Sequence, residues 1–231
     1  TFACVWLVRR QSFVSSPLLP VDLLRIPVFT LSICTSTASF CAQMLAFVAL
    51  PFYLHAHFGF SAVEIGLLIT PWPIAIAIIA PLAGRLVEHY PAGLLGGIGL
   101  LLFAGGLGAL AVLPAHPSLM DVIWRMAFSG AGFGLFQSPN NRTMIAAAPR
   151  ERSGGASGML GTARLLGQTI GAALVALLLA RYPEKGAQIS LLVGAGVALF
   201  AAALSASRLS SAGSRGIEAV RVSADQRRKG E

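Results

Sequence analysis

The chain has 231 residues, 55% of them apolar and only 11% charged, with a formal net charge of +8. A soluble domain carries about a quarter charged residues, so this composition excludes an ordinary soluble enzyme, a disordered chain and a disulfide scaffold. It suffices for six membrane-spanning helices of about 20 residues each.

Residues 1–8 (TFACVWLV) are apolar and are followed by Arg9 and Arg10. No basic stretch precedes them and no small-residue cleavage site follows, so they make a poor signal peptide. They read as the end of a preceding transmembrane helix, and we expect the chain to be the C-terminal part of a larger protein. Residues 9–25 then form a cytoplasmic linker. Six apolar runs follow within 26–205, at about 26–54, 62–84, 93–113, 122–148, 157–180 and 187–205. Each can cross about 30 Å of hydrocarbon as a helix, and none alternates as a barrel strand would. The expected fold is therefore an all-α membrane protein. The connections leave no room for a soluble domain, and the basic stretch 206–231 reads as a disordered cytoplasmic tail.

Positive charge reports topology. Arg9, Arg10, Arg25, Arg85, Arg150, Arg152 and six tail cations (Arg208, Arg215, Arg221, Arg227, Arg228, Lys229) fall on one side, against Arg181 and Lys185 on the other. This split places the C-terminus in the cytoplasm, and no nucleic-acid motif competes for the charge.

The spans differ in character. The first carries Ser32, Ser36, Ser39 and Gln43 at helical spacing. The fourth carries Gly130, Gly134, Gln137 and Asn141 on one stripe with Asn140 beside it, and the fifth carries Ser157, Gly161, Arg164, Gln168 and Gly171. Polar groups are costly in hydrocarbon, so these stripes should face protein or water. The glycines read better as helix–helix packing positions. Gln43, Gln137, Asn140, Asn141, Arg164 and Gln168 are candidates to line a substrate cavity. So is Trp72, which sits among Pro71, Pro73 and Pro81 in a second span that should be bent or broken. The third and sixth spans, almost wholly Gly, Ala and aliphatic, should face lipid on most sides.

Chemistry-bearing patterns are scarce. All nine acids fall at span ends, in loops or in the tail. Cys4, Cys34 and Cys41 lie in apolar segments at a spacing that fits neither a disulfide nor a metal site. No catalytic or metal-ligating motif is present, so no enzyme activity, cofactor or metal is expected.

The loop after the second span contains Gly84, Arg85, Leu86 and Glu88. It resembles the GxLaDrxGrr loop of the major facilitator superfamily, with Glu in place of Asp. The run from Arg125 to Asn141, with Gly130, Gly132, Gly134, Gln137 and Pro139, is similar to the glycine-rich helix of that superfamily's 14-helix drug:proton antiporter branch, the EmrB/QacA type. Residues 149–158 and the Arg164, Gly167, Gln168, Gly171 series resemble its next loop and helix, and Pro17, Pro20 and Asp22 the approach to its ninth helix.

The resemblance covers about residues 17–205. It implies a six-transmembrane-helix C-terminal half of a major facilitator fold plus the end of a preceding helix. The first and fourth helices of such a half line the central cavity, and the third and sixth face lipid. The implied function is proton-coupled export of small amphipathic or cationic compounds across a bacterial inner membrane. The implied partners are the missing N-terminal half, the lipid bilayer, the substrate and protons. An exporter of a metabolite or siderophore on the same scaffold, or a non-transporting truncated module, is the alternative.

Overall fold

The computed structural model describes residues 21–229, and the side chains of residues 22–208. The stub 1–8 and most of the linker 9–25 lie outside the described residues. A 3₁₀ turn, Val21–Arg25, leads into seven α-helices: α1 Pro27–Phe58, α2 Ala62–Ile69, α3 Pro71–Leu86, α4 Ala92–Ala111, α5 Leu119–Ala147, α6 Ser153–Arg181 and α7 Gly186–Lys229. They match the six expected spans, with α2 and α3 together making the second.

Local chemistry sets the boundaries. α1 starts at Pro27, where a missing N–H is harmless, and stops at Gly59 in the left-handed conformation (φ 70°). The second and fourth spans open on reciprocal capping boxes. Ser61 exchanges backbone and side-chain hydrogen bonds with Glu64, and Ser118 does the same with Asp121. The second span breaks at Thr70, as its prolines require: Pro71 and Pro73 offer no amide hydrogen, and Thr70 Oγ1 bonds the Gly66 carbonyl at 2.8 Å.

Among the described residues, five segments are long and apolar enough to cross a membrane: Pro27–Phe58, Ala62–Leu86, Ala92–Ala111, Arg150–Arg181 and Gly186–Arg208. α5, at 29 residues, has the length but is more polar, carrying Asp121, Arg125, Gln137, Asn140, Asn141 and Arg142.

α1 and α5 form the centre. α1 packs on α6 and α7 and touches α5, α5 packs on α3 and α4, and α4 and α7 pack together behind them. Lipid gives no hydrophobic drive for this association, so close approach through small residues carries it. A Cβ on Gly132 would meet the Gly99 carbonyl at 2.7 Å, and one on Gly99 would meet the Gly132 carbonyl at the same distance. Gly130 and Gly134 lie against α3 backbone, and Gly167 and Gly171 against α1 backbone. The packing role expected for Gly130, Gly134 and Gly171 is what the structure shows. Gly161 differs, with nothing within 4 Å of a Cβ there.

One further expectation needs correction. The third span is not mostly lipid-facing: 61% of its apolar window is buried, against 17% for the second span and 22% for the fifth. Its glycines bring it close to α5, leaving one exposed stripe through Leu94, Ile98 and Leu101. In the described backbone α7 runs on through 206–229. That stretch holds no proline, and its Ala, Leu, Arg and Glu residues accept a helix.

Candidate functional site

The serine stripe of α1 turns inward. Ser32, Ser36 and Ser39 are buried. Ser32 and Ser39 hydroxyls donate to their own helix at the Val28 and Thr35 carbonyls, at 2.7 and 2.6 Å. Opposite them stands Asn140 of α5, also buried. Its Nδ2 donates to Ser36 Oγ at 2.8 Å, and its Oδ1 accepts from Arg208 Nη1 at 2.7 Å. Arg208 Nη1 also donates to Ser32 Oγ at 2.8 Å, and Nη2 to Ser205 Oγ at 3.0 Å. Ser205 Oγ donates in turn to the Gly93 carbonyl at 3.1 Å. One guanidinium, only 6% exposed, thus ties α7 to α1 and α5, and through Ser205 to the start of α4. The structure places Asn140 in this internal lock, not on an open surface.

Arg208 had counted only as a tail charge. Its position three residues after Ser205, at the end of an apolar run, is the signal that could have found it. Inward polar stripes on α1 and α5 need such a donor.

Trp72 is 1% exposed. Its ring meets Phe47 edge-on at 5.0 Å and Phe103 at 5.4 Å, and lies 6.3 Å from Phe133, which stands 5.4 Å from Phe40. This enclosed aromatic cluster holds α3 against α1, α4 and α5 and leaves Trp72 no face for a ligand. Its indole N–H has no hydrogen-bond partner among the described residues.

The other candidates lie outward. Gln43, Gln137, Asn141 and Gln168 are half-buried, and Arg164 is exposed. On α5, Gln137 and Asn141 share the stripe of Gly130 and Gly134, which meets α3, and lie beside the stripe that meets α1 (Phe133, Asn140, Met144). On α6, Gly167 and Gly171 seat the helix on α1. Arg164 and Gln168 border that seam on one side, and Leu166, Ile170 and Leu177 are exposed on the other. The Arg164 guanidinium lies over the Phe40 ring, 5.4 Å from its centroid. No hydrogen bond among the described residues joins Gln43, Gln137, Asn141 and Gln168 to one another. Arg164 is exposed on α6, beside the seam that this helix forms with α1.

At the other edge, the loop after α3 meets the end of α5. Arg142 Nη1 lies 3.6 Å from Glu88 Oε1 and donates to the Gly84 carbonyl at 3.4 Å. A Cβ on Gly84 would meet Ser138 Oγ at 3.3 Å. Arg85 and Leu86 of the same loop are exposed. Arg125 stays within its own turn, bonded to the Asp121 carbonyl and carboxylate at 2.6 and 3.1 Å. Among the described residues, no group of three His, Cys, Asp or Glu could hold a metal ion.

Residues 31–225 match the Major Facilitator Superfamily. The chain belongs to that superfamily. It is 60% identical over 211 residues to the uncharacterized transporter YebQ of Escherichia coli K12, covering 91% of this chain and 46% of YebQ. It is 32% identical over 178 residues to the multidrug resistance protein Stp of Mycobacterium tuberculosis H37Rv, covering 77% of this chain and 32% of Stp. It is 30% identical over 164 residues to the riboflavin transporter RibZ of Clostridioides difficile 630, covering 71% of this chain and 35% of RibZ. The chain thus spans less than half the length of each of these relatives. With its apolar helices, membership makes it a multi-pass membrane protein.

Proposed function

We propose that this chain is the C-terminal half of a proton-coupled exporter of small amphipathic compounds, of the 14-helix branch of the superfamily, in a bacterial inner membrane. What supports the proposal is the presence of Gln43, Gln137, Asn141, Arg164 and Gln168, none of them fully buried, on helices otherwise fit for lipid. Polar groups at that depth belong to a water-filled path or a protein contact. An N-terminal half would close over these residues, and the cavity between the halves would take the substrate. Membership in the Major Facilitator Superfamily and the similarity to named transporters support a transporter and not an enzyme. The charge split between loops puts the C-terminus in the cytoplasm.

The Glu88–Arg142 pair fits a moving part. Both side chains are exposed, and such a pair contributes about 0–1 kcal/mol. It can therefore open and close as the halves rock, with Gly84, Arg85 and Leu86 carrying the loop. Proton coupling needs a group that titrates within the membrane. Arginines hold their protons and every acid of this chain lies at a span end or beyond, so the proton site belongs to the other half. The similarity to RibZ, a riboflavin transporter, favours a second reading, transport of a metabolite by the same scaffold.

Cells producing the full-length protein should accumulate less ethidium than cells lacking it, and a protonophore should abolish the difference. Equal accumulation with and without the protein, for ethidium and riboflavin alike, would contradict the proposal.

A further inference from the structure

Arg164 is exposed on α6, and among the described residues no carboxylate pairs with it. The three ion pairs there are Arg125–Asp121, Arg142–Glu88 and Arg152–Asp22. It stands eleven residues into α6, about 17 Å along the helix from Ser153. That is deep within the roughly 30 Å hydrocarbon layer. The nearest charges on its own helix and turn are Arg150, Glu151 and Arg152 at one end and Arg181 at the other. On α1 the guanidinium meets the Phe40 ring at 5.4 Å, and Gln168 lies one turn further along α6. A guanidinium at such depth needs a counter-charge, and its planar fork suits a carboxylate or similar oxyanion. A cationic compound beside Arg164 would meet a like charge.

We propose that Arg164 binds the anionic group of the transported compound, so that this transporter favours amphiphiles bearing a carboxylate or comparable oxyanion over cationic ones. The inference rests on the exporter reading. Gln168, one helical turn further along α6, bonds one of the compound's remaining polar atoms. Arg164 is then a specificity residue that touches substrate.

The test compares two dyes in energised everted vesicles carrying the full-length protein: carboxyfluorescein, an anion, and ethidium, a cation. Wild-type protein should move carboxyfluorescein. R164Q should raise its KM about tenfold or more, the scale of one lost charge-assisted hydrogen bond, while ethidium transport is unchanged or improved. R164K should restore part of the carboxyfluorescein transport, because it keeps the charge but not the fork. Equal loss of both dyes in R164Q would overturn the inference and point to an acid in the other half as the partner of Arg164. Wild-type transport of ethidium alone would overturn it while leaving the exporter reading intact. Failure to move either dye would overturn both.

Discussion

Replacing Asn140 by leucine should destabilise the detergent-solubilised protein by about 3 kcal/mol, read as a fall in melting temperature. The substitution removes the acceptor for Arg208 Nη1 and the donor to Ser36 together. It leaves a guanidinium buried among α1, α5 and α7 with part of its hydrogen bonding gone. Removing one partner of a buried charged contact costs more than replacing both partners by apolar groups. The double substitution N140L/R208M should therefore be more stable than N140L alone, and a double-mutant cycle should return a coupling of about 1 kcal/mol or more. Simple additivity of the two single losses would show that the lock contributes no joint stabilisation.

The second large effect lies where α4 crosses α5. A Cβ on Gly132 would fall 2.5 Å from the Phe103 backbone nitrogen and 2.7 Å from the Gly99 carbonyl. Backbone atoms on both sides cannot step aside, so G132A must push the helices apart, costing about 1–3 kcal/mol. This outweighs the gain of up to about 1 kcal/mol that alanine offers over glycine in a helix. At Gly108, in α4 itself, nothing lies within 4 Å of a Cβ, so G108A keeps that gain. Opposite signs of the melting-temperature shift are the expected result. A stabilising G132A would mean that the two helices are not in backbone contact.

The spans could be read from the sequence because length and apolarity fix them almost alone, and the break at Thr70 follows directly from Pro71 and Pro73. Which face each helix buries was less legible. A hydropathy reading equates an apolar helix with a lipid-facing one. In α4 the glycines at 99 and 106 matter more than overall apolarity, because they let it sink against α5. The Ser32, Ser36 and Ser39 stripe looks like a cavity lining until its partners are known. Those partners are Asn140, a hundred residues away, and Arg208 at the far end of the chain. Periodicity places residues on one helix face but says nothing about what stands opposite. Arg164 was legible for the complementary reason: a lone charge within an apolar run demands an explanation wherever the neighbours lie.

The central claim is that these helices cross a membrane with one sidedness and present a water-accessible face on α6. Labelling of single cysteines with an impermeant maleimide tests it most directly. The background would be a full-length protein whose other cysteines, including Cys4, Cys34 and Cys41, are replaced. H116C should react from outside the cell and E151C only from the cytoplasmic side. Q168C should react in the membrane-embedded protein, and L199C, on the exposed apolar side of α7, should not. Labelling of H116C and E151C from the same side, or of L199C but not Q168C, would contradict the account.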